Sequence, residues 1–384
     1  MSWPEETTRT VNLLAAVERK LDGWFVGRGA AVRLMVLAAV CQEHLLLIGP
    51  PGTAKTDLIS RFCGLVNASQ FRYLLTRFTE PSEIFGPLDF QQFQVGTYRI
   101  RTTGMLPEAD IVFLDEVFQG SSAILNTLLA VLNERSFDNG GTRQPARLVS
   151  LFGASSELPE DPALLAFADR FLLRLEVEPV ARIRLHELLD RGWQHQTEQL
   201  GGGGVNTSPL VSVSDLAKLT RQLRHVRLTE VRSRYADVVA ELTARGVALS
   251  DRRIVRGLKL VAGAALLRGA EVAHPRDLWP LRHIWTEPGD AEVAKGVLDN
   301  HLGAVDGEDA GRSVTALLEL AHQRVRQLDD YPAGADGSAV MTTLRVLNQE
   351  VLQPLQRRHP QEHAAIDTVR GLINDVTQRL RKTS

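Results

Sequence analysis

Gly49-Pro50-Pro51-Gly52-Thr53-Ala54-Lys55-Thr56 follows an apolar run, Leu45-Leu46-Leu47-Ile48, and precedes a helical pattern that begins at Asp57. A strand, a tight turn of small residues and a helix, in that order, make a phosphate-binding loop. Small residues let successive backbone N–H groups turn inward on an anion, and the helix behind adds partial positive charge at its N-terminus. In this setting Lys55 reaches the β- and γ-phosphates of a nucleoside triphosphate, and the Thr56 hydroxyl binds Mg²⁺. The usual pattern, G-x-x-x-x-G-K-[ST], has Gly where this chain has Ala54. Ala adds only one methyl, which the loop tolerates if that position avoids positive φ.

The second half of a nucleotide site stands about sixty residues on. Ile111-Val112-Phe113-Leu114 is a short apolar run, as expected of a strand buried on both faces. It ends in Asp115-Glu116. Asp115 fits the carboxylate that orients Mg²⁺ through its water shell. Glu116 fits the base that positions the water attacking the γ-phosphate. Either motif by itself also reads as a Gly/Pro turn, or as a strand followed by an acidic loop. Both together, each after a strand, read as a nucleoside triphosphatase.

The chain has 384 residues, long enough for two or three domains. Hydrophobic residues make up 44% and charged residues 23%, the composition of an ordinary globular protein. A formal net charge of −2 gives no reason to expect a nucleic-acid polyanion as partner. No apolar run approaches the ~20 residues that span a bilayer. The polar stretch Met1–Thr10 has no signal-peptide core, so a cytoplasmic protein is expected. Cys41 and Cys63 both lie in apolar helical patterns and read as reduced packing residues.

Helical patterns fill residues 11 to 42. Candidate strands then follow at His44–Ile48, Phe71–Leu75, Ile111–Leu114, Leu148–Phe152 and Phe171–Val177, with helices at Asp57–Val66 and Ser121–Asn133. Alternation of this kind implies an α/β fold, a parallel five-stranded sheet covered by helices, with a nucleotide at the carboxyl ends of the strands. Two segments interrupt it. Phe90 to Thr103 alternates about Val95-Gly96 and reads as a β-hairpin. Ser136 to Val149 carries the turn signal Asp138-Asn139-Gly140-Gly141. Gly201 to Gly204 reads as a flexible loop, and residues 213 to 285 as four helices, with Ser250 the N-cap of one reaching about Leu267. Three apolar stripes follow: Val314, Leu317, Ala321, Val325, Leu328; then Val340, Leu344, Leu347, Val351, Leu355; then Ile366, Val369, Ile373, Val376, Leu380. Breaks at Pro332–Gly337 and His359-Pro360 suggest a C-terminal helical bundle. The expected divisions are 1–190 (nucleotide-binding α/β domain, insertions at about 86–104 and 135–149), 191–287 (helical lid) and 288–384 (helical region).

Several segments together resemble the MoxR family of AAA+ ATPases, and within it the RavA type. They are Gly49 to Thr56, Pro81-Ser-Glu-Ile-Phe-Gly-Pro-Leu, Gly104 through Asp115-Glu116 to Phe137, and Ala154-Ser-Ser-Glu-Leu-Pro-Glu. The resemblance is strong over roughly residues 20 to 185, moderate to about 285 and weak beyond. It implies an AAA+ P-loop core followed by an all-helical lid. It implies that Val26, Gly27 and Arg28 line an adenine pocket, alongside the loop residues Gly49 to Thr56 and Asp57. Ser156 occupies the sensor-1 position, where the family usually has Asn; its hydroxyl has a shorter reach, which implies slow hydrolysis. Arg170 matches the arginine finger offered to a neighbouring subunit, with Arg135 the second candidate. Arg252 matches the sensor-2 arginine, with Arg253 the alternative. The two insertions match loops that face the channel of a ring, which makes Phe90, Phe93 and Tyr98 candidates to grip a client.

The function implied is that of a Mg²⁺-dependent ATPase that forms a homo-oligomeric ring, a hexamer, and remodels a protein client. A separate protein with a von Willebrand factor A domain is the implied partner, because this chain lacks that domain's Asp-x-Ser-x-Ser motif. A slow or non-hydrolysing ATP-bound switch is the alternative that Ser156 favours. A nucleic-acid motor is permitted by Arg99 and Arg101 but disfavoured by the near-neutral charge.

Overall fold

The computed structural model describes residues 3–200, 208–287, 289–302, 318, 321–322, 324–326, 328, 337–358 and 363–383. The chain divides into two compact units, Met1–Ala304 and Val305–Ser384.

The first unit is built on a five-stranded parallel sheet. Its strands are β1 (Leu45–Ile48), β2 (Gln70–Leu74), β3 (Ile111–Asp115), β6 (Ser150–Ser155) and β7 (Leu173–Glu176), in the order β2-β3-β6-β1-β7. The expected α/β fold is therefore present, with each strand within a few residues of its reading. Every residue of β1, and Ile111 to Leu114 of β3, is buried. Uninterrupted apolar runs of this kind can satisfy only a strand covered on both faces. Helices α1 (Glu5–Trp24), α2 (Gly29–Cys41), α3 (Lys55–Leu65) and α6 (Ser122–Glu134) provide cover. Ser121 caps α6 by accepting from the Ile124 amide.

The two insertions differ from each other. The first is not the expected β-hairpin. Its stem is one antiparallel bridge, Leu88 to Ile100, and its tip is the helix α5 (Phe90–Gln94). The cause is local: the Asp89 carboxylate accepts from the amides of Gln91 and Gln92, and this cap overrides the two-residue alternation. The second insertion is an antiparallel hairpin, β4 (Ser136–Asn139) with β5 (Thr142–Pro145). Asn139 clasps the two together. Its Oδ1 accepts from Ile100 N at 2.8 Å, and its Nδ2 donates to Ile100 O at 3.2 Å. Gly140 allows the approach, because a Cβ there would stand 1.7 Å from Tyr98 O. Phe90, Phe93 and Tyr98 are left 71%, 54% and 58% exposed around this clasp.

Beyond β7 the first unit is helical: α8 (Leu185–Leu200), α9 (Val213–Gln222), α10 (Arg232–Ala244), α11 (Asp251–Leu267), a 3-10 segment Pro275–His283, and α12 (Asp290–Leu302). Ser212 and Ser250 cap α9 and α11. Leu34 to Cys41 of α2 are fully buried. Gly263 lets α11 approach, because a Cβ there would lie 2.3 Å from Cys41 Sγ. Cys41 and Cys63 are free and buried, and burial raises both thiol pKa values, that of Cys63 to about 12. The sequence placed α12 in the C-terminal region beginning at 288. Its side chains Ala294, Val297 and Leu298 are instead buried in the core of the first unit, which ends at Ala304.

The second unit has its own core of Ala321, Leu328, Val340, Leu347, Val351, Leu355, Ala365, Ile366, Val369 and Val376. Its described helices are Gly337–Val346, the π-helical Leu347–Leu352, Gln353–Arg358 and His363–Thr383. The π turn stands just ahead of Pro354, which has no N–H to close an α-helical bond. Val314, Leu317, residues 332–336, His359-Pro360, Gly201 to Gly204 and the side chain of Leu380 lie outside the described residues. Among the described residues, no helix is long and apolar enough to cross a membrane.

Candidate functional site

The phosphate loop leaves the carboxyl end of β1 and enters α3. Gly49 has φ +151° and Gly52 φ +80°; a Cβ on Gly49 would lie 2.2 Å from Val177 O. Ala54 is the N-cap of α3 and adopts φ 63°, ψ 21°. The condition that Ala54 avoid positive φ is thus not met. The loop keeps the left-handed turn that Gly ordinarily supplies, and an alanine bears it at roughly 1–2 kcal/mol. The crest, Pro50, Pro51, Gly52 and Ala54, is exposed, while Thr53 and Lys55 are buried.

The Lys55 ammonium donates to Gly49 O at 2.8 Å and Pro50 O at 3.0 Å, and approaches Thr53 Oγ1 at 3.4 Å. Burial lowers its pKa, while Asp115 and Glu116 counteract that shift. Both carboxylates are therefore close enough to act on the lysine. Thr56 follows in the first turn of α3. Asp115 ends β3 and accepts from the Glu116 amide at 3.1 Å. Glu116 itself holds φ 49°, so the chain turns sharply where the strand ends. β6 separates β3 from β1, so Asp115 stands two interstrand spacings, ~10 Å, from the loop strand. A lysine, a hydroxyl and one carboxylate across such a gap suit Mg²⁺, which keeps several waters and binds chiefly through substrate phosphates.

Arg28 is 8% exposed; it donates from Nε to Thr53 O at 3.0 Å and from Nη1 to Gly27 O at 2.9 Å. It staples Val26-Gly27-Arg28 to the phosphate loop. Asp57 accepts from Arg61 Nε at 3.2 Å and lies 3.8 Å from His195 of α8. The Arg61 guanidinium sits 4.8 Å from the Trp24 ring centre and 5.4 Å from that of Phe25. The i,i+4 spacing of Asp57 and Arg61 was a sequence signal for this corner; the approach of Trp24 and His195, distant in the chain, had none.

Ser156 lies one residue past β6 and is exposed. Ser155 before it is buried and donates its hydroxyl to Glu157 O at 2.8 Å. Because β6 pairs with β1, Ser155 O also receives the Gly49 amide at 2.9 Å. Ser156 is thus placed beside the phosphate loop.

The arginines lie elsewhere. Arg170 is in the turn before β7, and β7 runs parallel to β1. It therefore sits at the amino edge of the sheet, opposite the phosphate loop. Its Nε is buried without a hydrogen-bond partner among the described residues. Arg252, at the start of α11, donates to Asn133 Oδ1 at 2.8 Å. Burial lowers its pKa first, and the charge of Arg170 lowers it further, so the two cations are neighbours. Glu43, just before β1, is fully buried and pairs with Arg256 at 2.7 Å and with Lys259. The helical segment therefore docks on the amino edge.

The two alternative arginines are engaged within the first unit. Arg253 is 1% exposed, pairs with Asp169 at 3.0 Å and donates to the carbonyls of Phe171, Leu172, Ile284 and Trp285. It ties α11 to the turn before β7, with its guanidinium engaged by these groups. Arg135 donates to the carbonyls of Leu148, Val149 and Gln42, and burial brings its pKa down to about 10. It closes the base of the second insertion.

Known proteins resemble this chain in sequence and in fold. A family model described as the MoxR domain in MoxR–vWA–β-propeller ternary systems matches residues 12–221. An uncharacterised protein of Methanocaldococcus jannaschii is 36% identical over 280 residues, 72% of this chain and 73% of that one. A protein named chaperone MoxR1, from Mycobacterium tuberculosis, is 24% identical over 272 residues, 66% of this chain and 69% of its own. A solved chain from Cytophaga hutchinsonii, described as a proposed ATPase, superposes with a TM-score of 0.61 at 17% identity, covering 79% of this chain and 97% of its own. That likeness concerns the fold alone.

Proposed function

This chain belongs to the MoxR family of AAA+ ATPases, and we propose that it hydrolyses ATP in a site shared between two copies of itself within a ring. The observation that supports this reading is the separation of the two halves of the site. Lys55, Thr56, Asp115 and Glu116 stand at the carboxyl edge of the sheet, and Arg170 and Arg252 at its amino edge. The strand between them is ~10 Å long before either loop is counted. One chain cannot bring both halves to one phosphate; a second copy, offering its amino edge, can.

In this reading Lys55 turns from the carbonyls of Gly49 and Pro50 to the β- and γ-oxygens. Thr56 and Asp115 would hold Mg²⁺, which would supply neutralisation of the phosphate charge. Glu116 accepts a hydrogen bond from the attacking water and aligns it, and Ser156 holds that water from the other side with one hydroxyl. Arg170 of the neighbouring copy stabilises charge on the transferring phosphoryl group, a contribution of ~10³-fold or more in such sites. A hexamer is the ring size we propose, in the cytoplasm. The output is remodelling of a protein client through the exposed Phe90, Phe93 and Tyr98. A protein with a von Willebrand factor A domain is the proposed partner, on the strength of the systems named in the matching family model.

The test is turnover per subunit against protein concentration. A rise with concentration, abolished by Arg170→Ala while nucleotide binding persists, is expected. Turnover independent of concentration and indifferent to that substitution sinks the shared site. The second reading, a switch that binds ATP and scarcely turns it over, is favoured by the short side chain at Ser156. Client work that survives Glu116→Gln would select it.

A further inference from the structure

The large apolar side chains left uncovered on the first unit include a continuous row on α8. Leu185 is 42% exposed, Leu188 40%, Leu189 62%, Trp193 63% and Leu200 82%. At ~100° per residue they fall within roughly 140° of the helix surface, the width of a stripe that a helix normally turns toward a core. Here the polar side is the anchored one. Arg191 donates to Gly23 O at 2.8 Å and to Asp22 O, His195 faces Asp57, and Glu187 pairs with Arg184 at 3.0 Å and Arg191 at 2.7 Å. The helix is fixed by its charges with its apolar face outward, and a contiguous exposed patch of this kind marks an interaction site.

The stripe lies next to the nucleotide site. The contacts to Asp57 and to the end of α1 set α8 beside the first turn of α3, on the flank of the phosphate loop. That flank carries Asp57, Asp115 and Glu116 beside Lys55, Arg28 and Arg61, and a bound triphosphate makes it negative overall. The edge that carries Arg170 and Arg252 is cationic and also leaves Val255 68% exposed, one helical turn from Arg252. A body that completes the nucleotide site must press that edge against this flank. We propose that the α8 stripe, with Trp193 midway along it, is the apolar seat of a second copy of this chain, the copy whose Arg170 edge closes the nucleotide site. This rests on the shared-site reading above and adds the surface that holds the two copies together. Large aromatic anchors next to paired charges are where association energy concentrates.

The test uses the full chain carrying Leu189→Glu with Trp193→Glu. Both side chains are exposed, so the thermal midpoint should match that of the wild type. Sedimentation velocity with ATP should show the wild type assembling and the double variant monomeric at ~100-fold higher concentration. Its turnover should fall with its assembly. A mixing experiment then fixes the direction of the contact. The double variant retains its arginine edge, whereas Arg170→Ala retains its stripe and phosphate loop. Each is inactive alone, and the mixture should recover turnover well above the sum of the two. Three results overturn the proposal: a double variant that assembles like the wild type, one that melts several degrees lower because its own chain covers the stripe, or a folded double variant that rescues nothing in the mixture. A wild type that is monomeric at full activity instead defeats the shared site itself, whatever α8 does.

Discussion

Arg253 and Asp169 are joined by a 3.0 Å ion pair between the first turn of α11 and the turn before β7, while the adjacent Arg252 points away from it to Asn133. One residue of sequence thus separates a buried structural tie from a half-free cation. Arg253→Ala leaves Asp169 and a ring of carbonyls without their donor, at roughly 3–5 kcal/mol. The expected result is a large drop in the thermal midpoint of the first unit. Arg252→Ala should leave that midpoint within about 2 °C and lower turnover at least ~10-fold. Equal effects of the two substitutions on melting would contradict the separation.

Glu116→Gln keeps the shape of the side chain and removes its basicity. Turnover should fall by ~10² or more, with ATP retained on the protein through gel filtration. Release of ATP as fast as in the wild type would place the base elsewhere.

Ala54→Gly relieves a left-handed alanine, partly offset by the greater freedom of glycine in the unfolded chain. A net gain of roughly 0.5–1 kcal/mol is expected. Ala54→Val should lose more than that, because a branched side chain tolerates φ 63° poorly. Denaturant midpoints of the three proteins, ordered Gly, Ala, Val, check the conformation directly.

His44 is fully buried between Leu132 O and the Leu151 amide, which donates to Nδ1 and so fixes the neutral Nε2–H form. Burial, with the charge of Arg135, holds its pKa well below the usual 6.5. The folded value is depressed, so the stability tied to a neutral imidazole is complete above ~6.5 and lost as pH falls below it. The slope approaches ~1.4 kcal/mol per pH unit for this one proton. Stability of the wild type and of His44→Gln, measured from pH 7.5 to 5, should differ in slope by that amount; identical slopes would show that His44 is not responsible.

Ser156→Asn lengthens the side chain beside the phosphate loop. It should raise turnover several-fold without changing ATP affinity more than about twofold. No change would mean that residue 156 does not touch the water, and would remove the observation that favours the switch reading.

Much of the sheet was legible because doubly buried strands have no choice but to be apolar; Leu45–Ile48 and Ile111–Leu114 declare themselves. The phosphate loop and Asp115 were legible because their chemistry restricts residue types. What failed was set by local competition or by distance. The Asp89 carboxylate turned a strand-like pattern into α5. The φ of Ala54 was imposed by the path from β1 into α3, which a one-methyl difference could not redirect. The choice between Arg252 and Arg253 depended on carbonyls of Phe171, Leu172, Ile284 and Trp285, which no window around residue 253 contains. The assignment of α12 likewise depended on its burial against α10 and Pro275–His283.

The clasp between Asn139 and Ile100 has a consequence for recombination. Each insertion supplies hydrogen bonds that the other consumes, and Gly140 is shaped to the backbone of Tyr98. Transplanting residues 86–104 alone from a relative would strand the Asn139 amide against a mismatched backbone. Transplanting 135–149 alone would push a foreign Cβ into Tyr98. Chimaeras of this scaffold should therefore be cut so that both segments travel as one cassette, even though some thirty residues and the whole of β3 lie between them.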